Sequence, residues 1–247
     1  MTVALAASVD DARRLRSAAV AAVLLARSLG PDTSALVDGE TRAALGDALA
    51  GAGADAALAR LVDRDSRSVE ADQGGLDATE LAGRWVRWFD LGRVAPYEGS
   101  NVASTAAGVT PRLADIAGFY RALGLQVVDD RPDHVVAQLE FLAMALMAEA
   151  EATEAGDSES AARTSDLIRK FLRDHLGGWI DTWASRVAAV DELAPWVPAA
   201  AAAAELVRAE SVRRNVIPLR DAAVLPADAG VPEDDEALLA CDGTEPD

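Results

Sequence analysis

Few polar groups in this chain are placed to do chemistry. Glu140 stands between Val136 and Ala143 at helical spacings of four and three, with Met147 following on the same face, so a carboxylate interrupts an apolar stripe. A buried charge without a partner is costly and either pairs or takes up a proton. Glu140 therefore reads in two ways: as half of a structural ion pair with an arginine from another helix, or as an acid lining a cleft for a basic ligand. Pro132-Asp133-His134 opens the same segment. Asp133 is placed to cap the helix or to complement its dipole, and His134 to hydrogen-bond a ligand or a neighbouring loop. Glu140 and His134 are also the residues an acid/base mechanism would have to use.

Catalytic signatures are otherwise missing. His134 and His175 are the only histidines and Cys241 the only cysteine, so no disulfide framework, cysteine-based zinc site or iron–sulfur site is available. His175 reads as a surface or capping histidine. With no HExxH spacing, no GxGxxG, no GxxxxGK[ST] loop and no GxSxG elbow, no catalytic, metal or cofactor-binding residue is expected. The chain reads as a binder and not as an enzyme.

Aromatic side chains mark where binding would occur. Trp85, Trp88 and Phe89 lie at i, i+3 and i+4, on one face of a helix that precedes Pro96-Tyr97-Glu98-Gly99-Ser100. A stripe at that spacing is ordinarily core; beside an irregular loop it can also wall a groove for a peptide. Phe171-Leu172-Arg173-Asp174-His175-Leu176-Gly177-Gly178-Trp179 with Trp183 places Leu172, Leu176, Trp179 and Trp183 on a second such face.

The elements that must position these groups are helices. Alanine and leucine dominate, and no alternating apolar/polar run bounded by hairpin turns is present. A first helix spans about Asp10–Leu29 and stops at Gly30-Pro31. Others cover about Thr41–Gly51, Asp55–Val62, Glu80–Asp90, Pro111–Leu123, 133–152, Ala161–Leu176, Trp179–Val190 and Ala199–Asn215, while Asp63–Gly75 and Pro96–Thr110 read as irregular. The helix from 133 is apolar nearly all round and should be the central one. Arg13-Arg14-Leu15-Arg16 ahead of an apolar stretch imitates an export signal, but Asp10 and Asp11 precede it and Arg27 closes it, so it reads as an ordinary first helix. No apolar run reaches the roughly 18 residues a membrane span requires.

Charge completes the outline. The net charge is −18, and half of it sits in 221–247, where nine acids face no base. Nucleic acid is thereby excluded, since phosphate contacts need clustered Lys and Arg; a basic peptide suits such a surface, as does solubility alone. The expected organisation is one all-α, single-domain helical bundle over 1–220 and an acidic, disordered tail over 221–247.

Taken in order, Trp85-x-x-Trp88-Phe89, Pro96-Tyr97-Glu98-Gly99-Ser100, Pro132-Asp133-His134 with Gln138-Leu139-Glu140-Phe141, and Phe171-Leu172-Arg173-Asp174-His175-Leu176 with Trp179 resemble the TorD/DmsD family of redox-enzyme maturation chaperones, with NarJ as a relative. The resemblance covers roughly 80–190. It implies an all-helical cytoplasmic chaperone that binds the twin-arginine leader of a molybdenum-cofactor oxidoreductase. Such a chaperone holds the apo-form of the catalytic subunit for cofactor insertion, before export or assembly. A NarJ-like role for a client that is not exported is the alternative. By the same resemblance Trp85, Trp88, Phe89, Pro96, Tyr97 and Glu98 line the leader-binding pocket, with Pro132, Asp133 and His134 at its edge. Glu140, Asp129 and Asp130 are added from their charge, as acids that meet the leader's arginines. Family members are monomers or domain-swapped dimers, and both states stay open for this chain. Gly177-Gly178 departs from the bulkier turn usual in the family.

Overall fold

In the computed structural model, residues 2–61, 78–103, 108–128 and 131–219 are described, and they are helical apart from short connections and one isolated bridge. Asp129, Asp130, Cys241 and the acidic tail over 221–247 lie outside the described residues. The elements run α1 (Thr2–Leu29), the single turn α2 (Ser34–Val37), α3 (Gly39–Gly51), α4 (55–61), α5 (Ala78–Trp85) widening into a π-helical turn over Val86–Asp90, the single turn α6 (Glu98–Asn101), α7 (Thr110–Ala122), α8 (Val135–Glu154), α9 (Ser158–Asp174), α10 (Leu176–Ala188), a 3₁₀ turn at Asp191–Leu193, and α11 (Val197–Arg213).

Two helices organise the rest. α1 presents Leu15, Ala18, Ala22, Leu25 and Leu29 as an unbroken buried stripe against α8. Its small alanines let the two axes approach closely, and burial of the leucines supplies most of the attraction, about 25 cal/mol per Å² of apolar surface removed from water. α8 is central, as its apolar composition requires, and packs on α1 and α9. It is not buried all round: Glu140 and Met144 emerge on one side. α10 packs on α9 and α11, and α11 closes back on α1.

Leu172, Leu176, Trp179 and Trp183 are all buried, as their shared face anticipates. The glycine pair in that segment has a steric cause. The chain after α11 turns at Asn215 and returns as a strap over 216–219, and Leu219 N–H donates to the Arg173 carbonyl at 2.7 Å. A Cβ on Gly177 would lie 2.4 Å from the Leu172 carbonyl oxygen, and one on Gly178 2.5 Å from that of Leu219. Only glycine lets the strap cross the α9–α10 corner.

The segment expected as a helix over Glu80–Asp90 departs from regular α geometry. Leu91 N–H bonds to the Val86 carbonyl five residues back, which defines the π turn. The widened turn aims Trp85 and Phe89 inward and leaves Trp88 half-buried at the surface. Within the loop expected over Pro96–Thr110, α6 forms one helical turn. Its cause is polar, and belongs to the site.

Candidate functional site

The residues singled out from the sequence divide among three settings: an aromatic core, a buried polar knot whose Glu98 and His175 border a hollow of about 530 Å³, and an open groove.

Trp85 and Phe89 belong to the core. The Trp85 indole N–H donates to the Leu29 carbonyl, and the Phe89 ring sits among Trp85, Trp183 and Trp196 with centroids 5.7–6.0 Å away. Trp88 stays at the surface, where its N–H donates to Glu192 at 2.9 Å and the Arg93 guanidinium lies over its ring.

Pro96, Tyr97, Glu98, Asp133 and His134 form the knot. Tyr97 and His134 face each other in an isolated antiparallel bridge: Glu98 N–H donates to the Asp133 carbonyl and Val135 N–H to that of Pro96. The bridge seats the Pro96–Gly99 loop on the start of α8. His134, not Asp133, caps that helix, its Nδ1 accepting from Val136 N–H at 3.1 Å. Asp133 is committed elsewhere. It takes both arms of the Arg131 guanidinium at 2.9 and 2.7 Å, and the Gly99 N–H at 3.0 Å. Arg131 in turn lies 4.5 Å over the Tyr97 ring.

Glu98 is the centre of this arrangement. Its carboxylate, 1% exposed, accepts from Arg112 Nη1 at 3.1 Å and Gln138 Nε2 at 2.6 Å, and meets His175 Nδ1 at 3.1 Å. Gln138 passes the chain on, accepting from the Trp179 indole at 3.1 Å. Four separate helices are thereby tied to one buried carboxylate, which is why α6 forms where the sequence reads as loop. His175 is likewise buried, against the expectation of a surface or capping role; its ring makes no cap contact to α10. Gln138 stands in the α8 motif without an assigned role, and Arg112 was missed from sequence, because neither belongs to a catalytic pattern. The available signal was an amide on the buried side of an otherwise apolar helix, which must find a partner.

Glu140 is placed differently. Two hollows of about 420 and 410 Å³ meet at Tyr120 and at the connector 125–127, between the end of α7 and the solvent side of α8. Their walls are mainly apolar, Leu125, Val127 and Val136 with the 51%-exposed Met144, and Pro132 on the far side; Gln126 lines both hollows and Arg121 the second. Glu140 projects into this groove and is given no cation among the described residues. Partial burial pushes its carboxyl above the usual range. The structural ion pair with an arginine from another helix is therefore not formed there. Tyr120 forms the groove's floor, its hydroxyl donating to the Pro132 carbonyl at 2.6 Å; burial, then the carboxylates of Glu98, Asp133 and Glu140, pushes its phenol strongly up.

Glu140 and His134 are not brought together. Six positions apart at 3.6 residues per turn, they leave the helix on different sides, and the histidine is sealed under Tyr97. Among the described residues no group of three His, Cys, Asp or Glu side chains is placed to hold a metal ion. No helix among them is long and apolar enough to cross a membrane.

Two comparisons with known proteins bear on this geometry. The selenate reductase assembly chaperone protein of Thauera selenatis is 33% identical over 143 residues, 55% of this chain and 69% of its own. Residues 47–185, which span the core aromatics, the knot and the groove, match the family described as nitrate reductase delta subunit. The chain belongs to that family, the NarJ/TorD-type chaperones of molybdoenzymes.

Proposed function

We propose that this protein is a cytoplasmic assembly chaperone for a molybdenum-cofactor oxidoreductase, and that its α7–α8 groove holds the client's N-terminal leader until the cofactor is inserted. The observation that carries this reading is Glu140, a carboxylate with no ion pair among the described residues, in an open groove whose walls are mainly apolar. Such a setting suits a peptide that brings a guanidinium within a run of apolar side chains. The pairing gains strength as the peptide displaces water from the groove. Pro132 and Tyr120 extend the apolar wall, and Asp129 and Asp130 follow the connector in sequence as further acids. Trp85, Phe89, Pro96, Glu98, Asp133 and His134 serve as the scaffold that fixes the groove, while Trp88 and Tyr97 keep partly exposed faces. Family membership and the similarity to a selenate reductase assembly chaperone support the same reading.

Titration calorimetry of the full chain with the client's synthetic leader tests it. Micromolar affinity, about −8 kcal/mol, suits a reversible escort. Neutral residues in place of both leader arginines should weaken binding at least about tenfold, 1.4 kcal/mol; unchanged affinity would overturn the charge part. The family description, a nitrate reductase subunit, favours a second reading in which the client is not exported and no arginine pair is required. Co-purification of an oxidoreductase large subunit without a twin-arginine pair would select it.

A further inference from the structure

Between α7 and α8 the chain changes character. Gly124 takes a positive φ of 70°, and Leu125 N–H bonds back to the Tyr120 carbonyl, which stops α7 and sends the chain away from its axis. Over the next four residues burial alternates: Leu125 and Val127 are half-buried against the core, while Gln126 is exposed and Val128 is 67% exposed. That period of two belongs to extended backbone. Neither the N–H nor the C=O of Gln126, Val127 or Val128 makes a hydrogen bond among the described residues. Other corners of the bundle close on themselves: the N–H groups at 155–157, 189–190 and 214–216 all bond to carbonyls of the helix they leave. The connector instead keeps an open main-chain edge, pinned by two apolar side chains, and its residues 125–127 line both hollows of the groove.

Resting on the groove reading above, we propose that the bound peptide lies extended beside 125–128 and pairs with it as an added strand, with a basic side chain set on Glu140. A strand edge offers the N–H and C=O of alternate residues, so an extended peptide satisfies its own main chain there whatever its side chains. A helical peptide bonds its main chain internally and would leave the connector's groups to water. Charge selects the occupant. Glu140 faces the hollow that Gln126 and Val128 border and has no ion pair among the described residues, so a guanidinium or ammonium fits and an acidic peptide is repelled. Val136 and Met144 take the apolar side chains next to it. Recognition is thereby divided: the connector reads main chain and tolerates sequence, while Glu140 reads charge.

The probe is a short synthetic peptide, an arginine pair followed by alanines and leucines, a composition that by itself favours helix. Labelled with carbon-13 and bound to the full chain, it should nevertheless show the Cα and Cβ shifts of extended backbone. N-methylation of one peptide nitrogen at a time should weaken binding about fivefold at alternate positions, the effect of one hydrogen bond, and leave the positions between unchanged. On the protein, the N–H groups of Gln126 and Val127 point to opposite edges of an extended chain, and neither is bonded within the described fold. Proline at one of the two, Gln126→Pro or Val127→Pro, should therefore cause a similar loss, and proline at the other should not. Helical shifts in the bound peptide, or N-methylation that acts alike at every position, would overturn the added strand. If Glu140→Gln still weakens that complex, the groove reading stands without it. A peptide that does not bind at all overturns both.

Discussion

Gln138 and Glu140 are two residues apart on α8 and have opposite fates. Gln138 enters the knot, where it donates to Glu98 and accepts from Trp179, and is fully buried. Glu140 stands in the groove with its charge given no partner among the described residues. On one side of the helix every polar atom is committed; on the other a costly carboxylate stays open. A protein that spends polar groups on architecture satisfies them, because a buried donor or acceptor left unpaired costs the full loss of its hydration. A group left open inside apolar walls is what a partner can complete.

Breaking the knot should give the largest effect. Glu98→Ala removes the acceptor of Arg112, Gln138 and His175 at once. Loss of one partner from a buried charged set costs about 3–5 kcal/mol, so urea unfolding should show most of the chain's stability gone. If the midpoint moves by only a few tenths of a molar, the knot is not structural and the comparison with the groove fails.

Phe89→Ala follows, at about 3–4 kcal/mol for an aromatic side chain removed from a packed core. It also sharpens the division, since the ring touches Trp85, Trp183 and Trp196 and lies outside the groove. Leader affinity per folded molecule should be unaltered at a temperature where the variant remains native. An affinity loss larger than the folded fraction explains would return the aromatic stripe to the binding surface.

How much of this could be read from residues alone follows the same division. The helical bundle, the central place of α8 and the buried face of Leu172, Leu176, Trp179 and Trp183 come from periodicity, which reports burial. The PDH turn and the Tyr97-Glu98 loop were visible as a group, but their contacts were not. Asp133 reads from sequence as a cap of α8 or a complement to its dipole, yet Arg131 and Gly99 claim it and His134 caps instead. Which of two adjacent capping residues is used depends on a partner brought in by the fold. His175 and Arg112 escaped for the same reason, being distant in sequence from the carboxylate that holds them. For Glu140 the sequence leaves both readings open, and its three-dimensional neighbours separate a paired acid from an open one.

Glu140→Gln gives a smaller effect than the core variants, and one of opposite sign for stability. The folded protein holds this carboxyl above its ordinary range through partial burial. An acid with a raised folded value favours the fold when protonated: that contribution is present at acid pH and is lost as the pH rises through the folded value. A permanently neutral amide keeps it, so the variant should be slightly more stable than the parent at neutral pH and should converge with it as the pH falls. Leader binding should move the other way. Calorimetry should show about a tenfold loss, 1.4 kcal/mol, at neutral pH, and the parent should fall toward the variant on acidification as Glu140 takes up its proton. A stabilised variant that binds as well as the parent would make Glu140 a tolerated defect of the surface. A destabilised one would mean that the carboxylate has an internal partner after all, and the contrast with Gln138 would vanish.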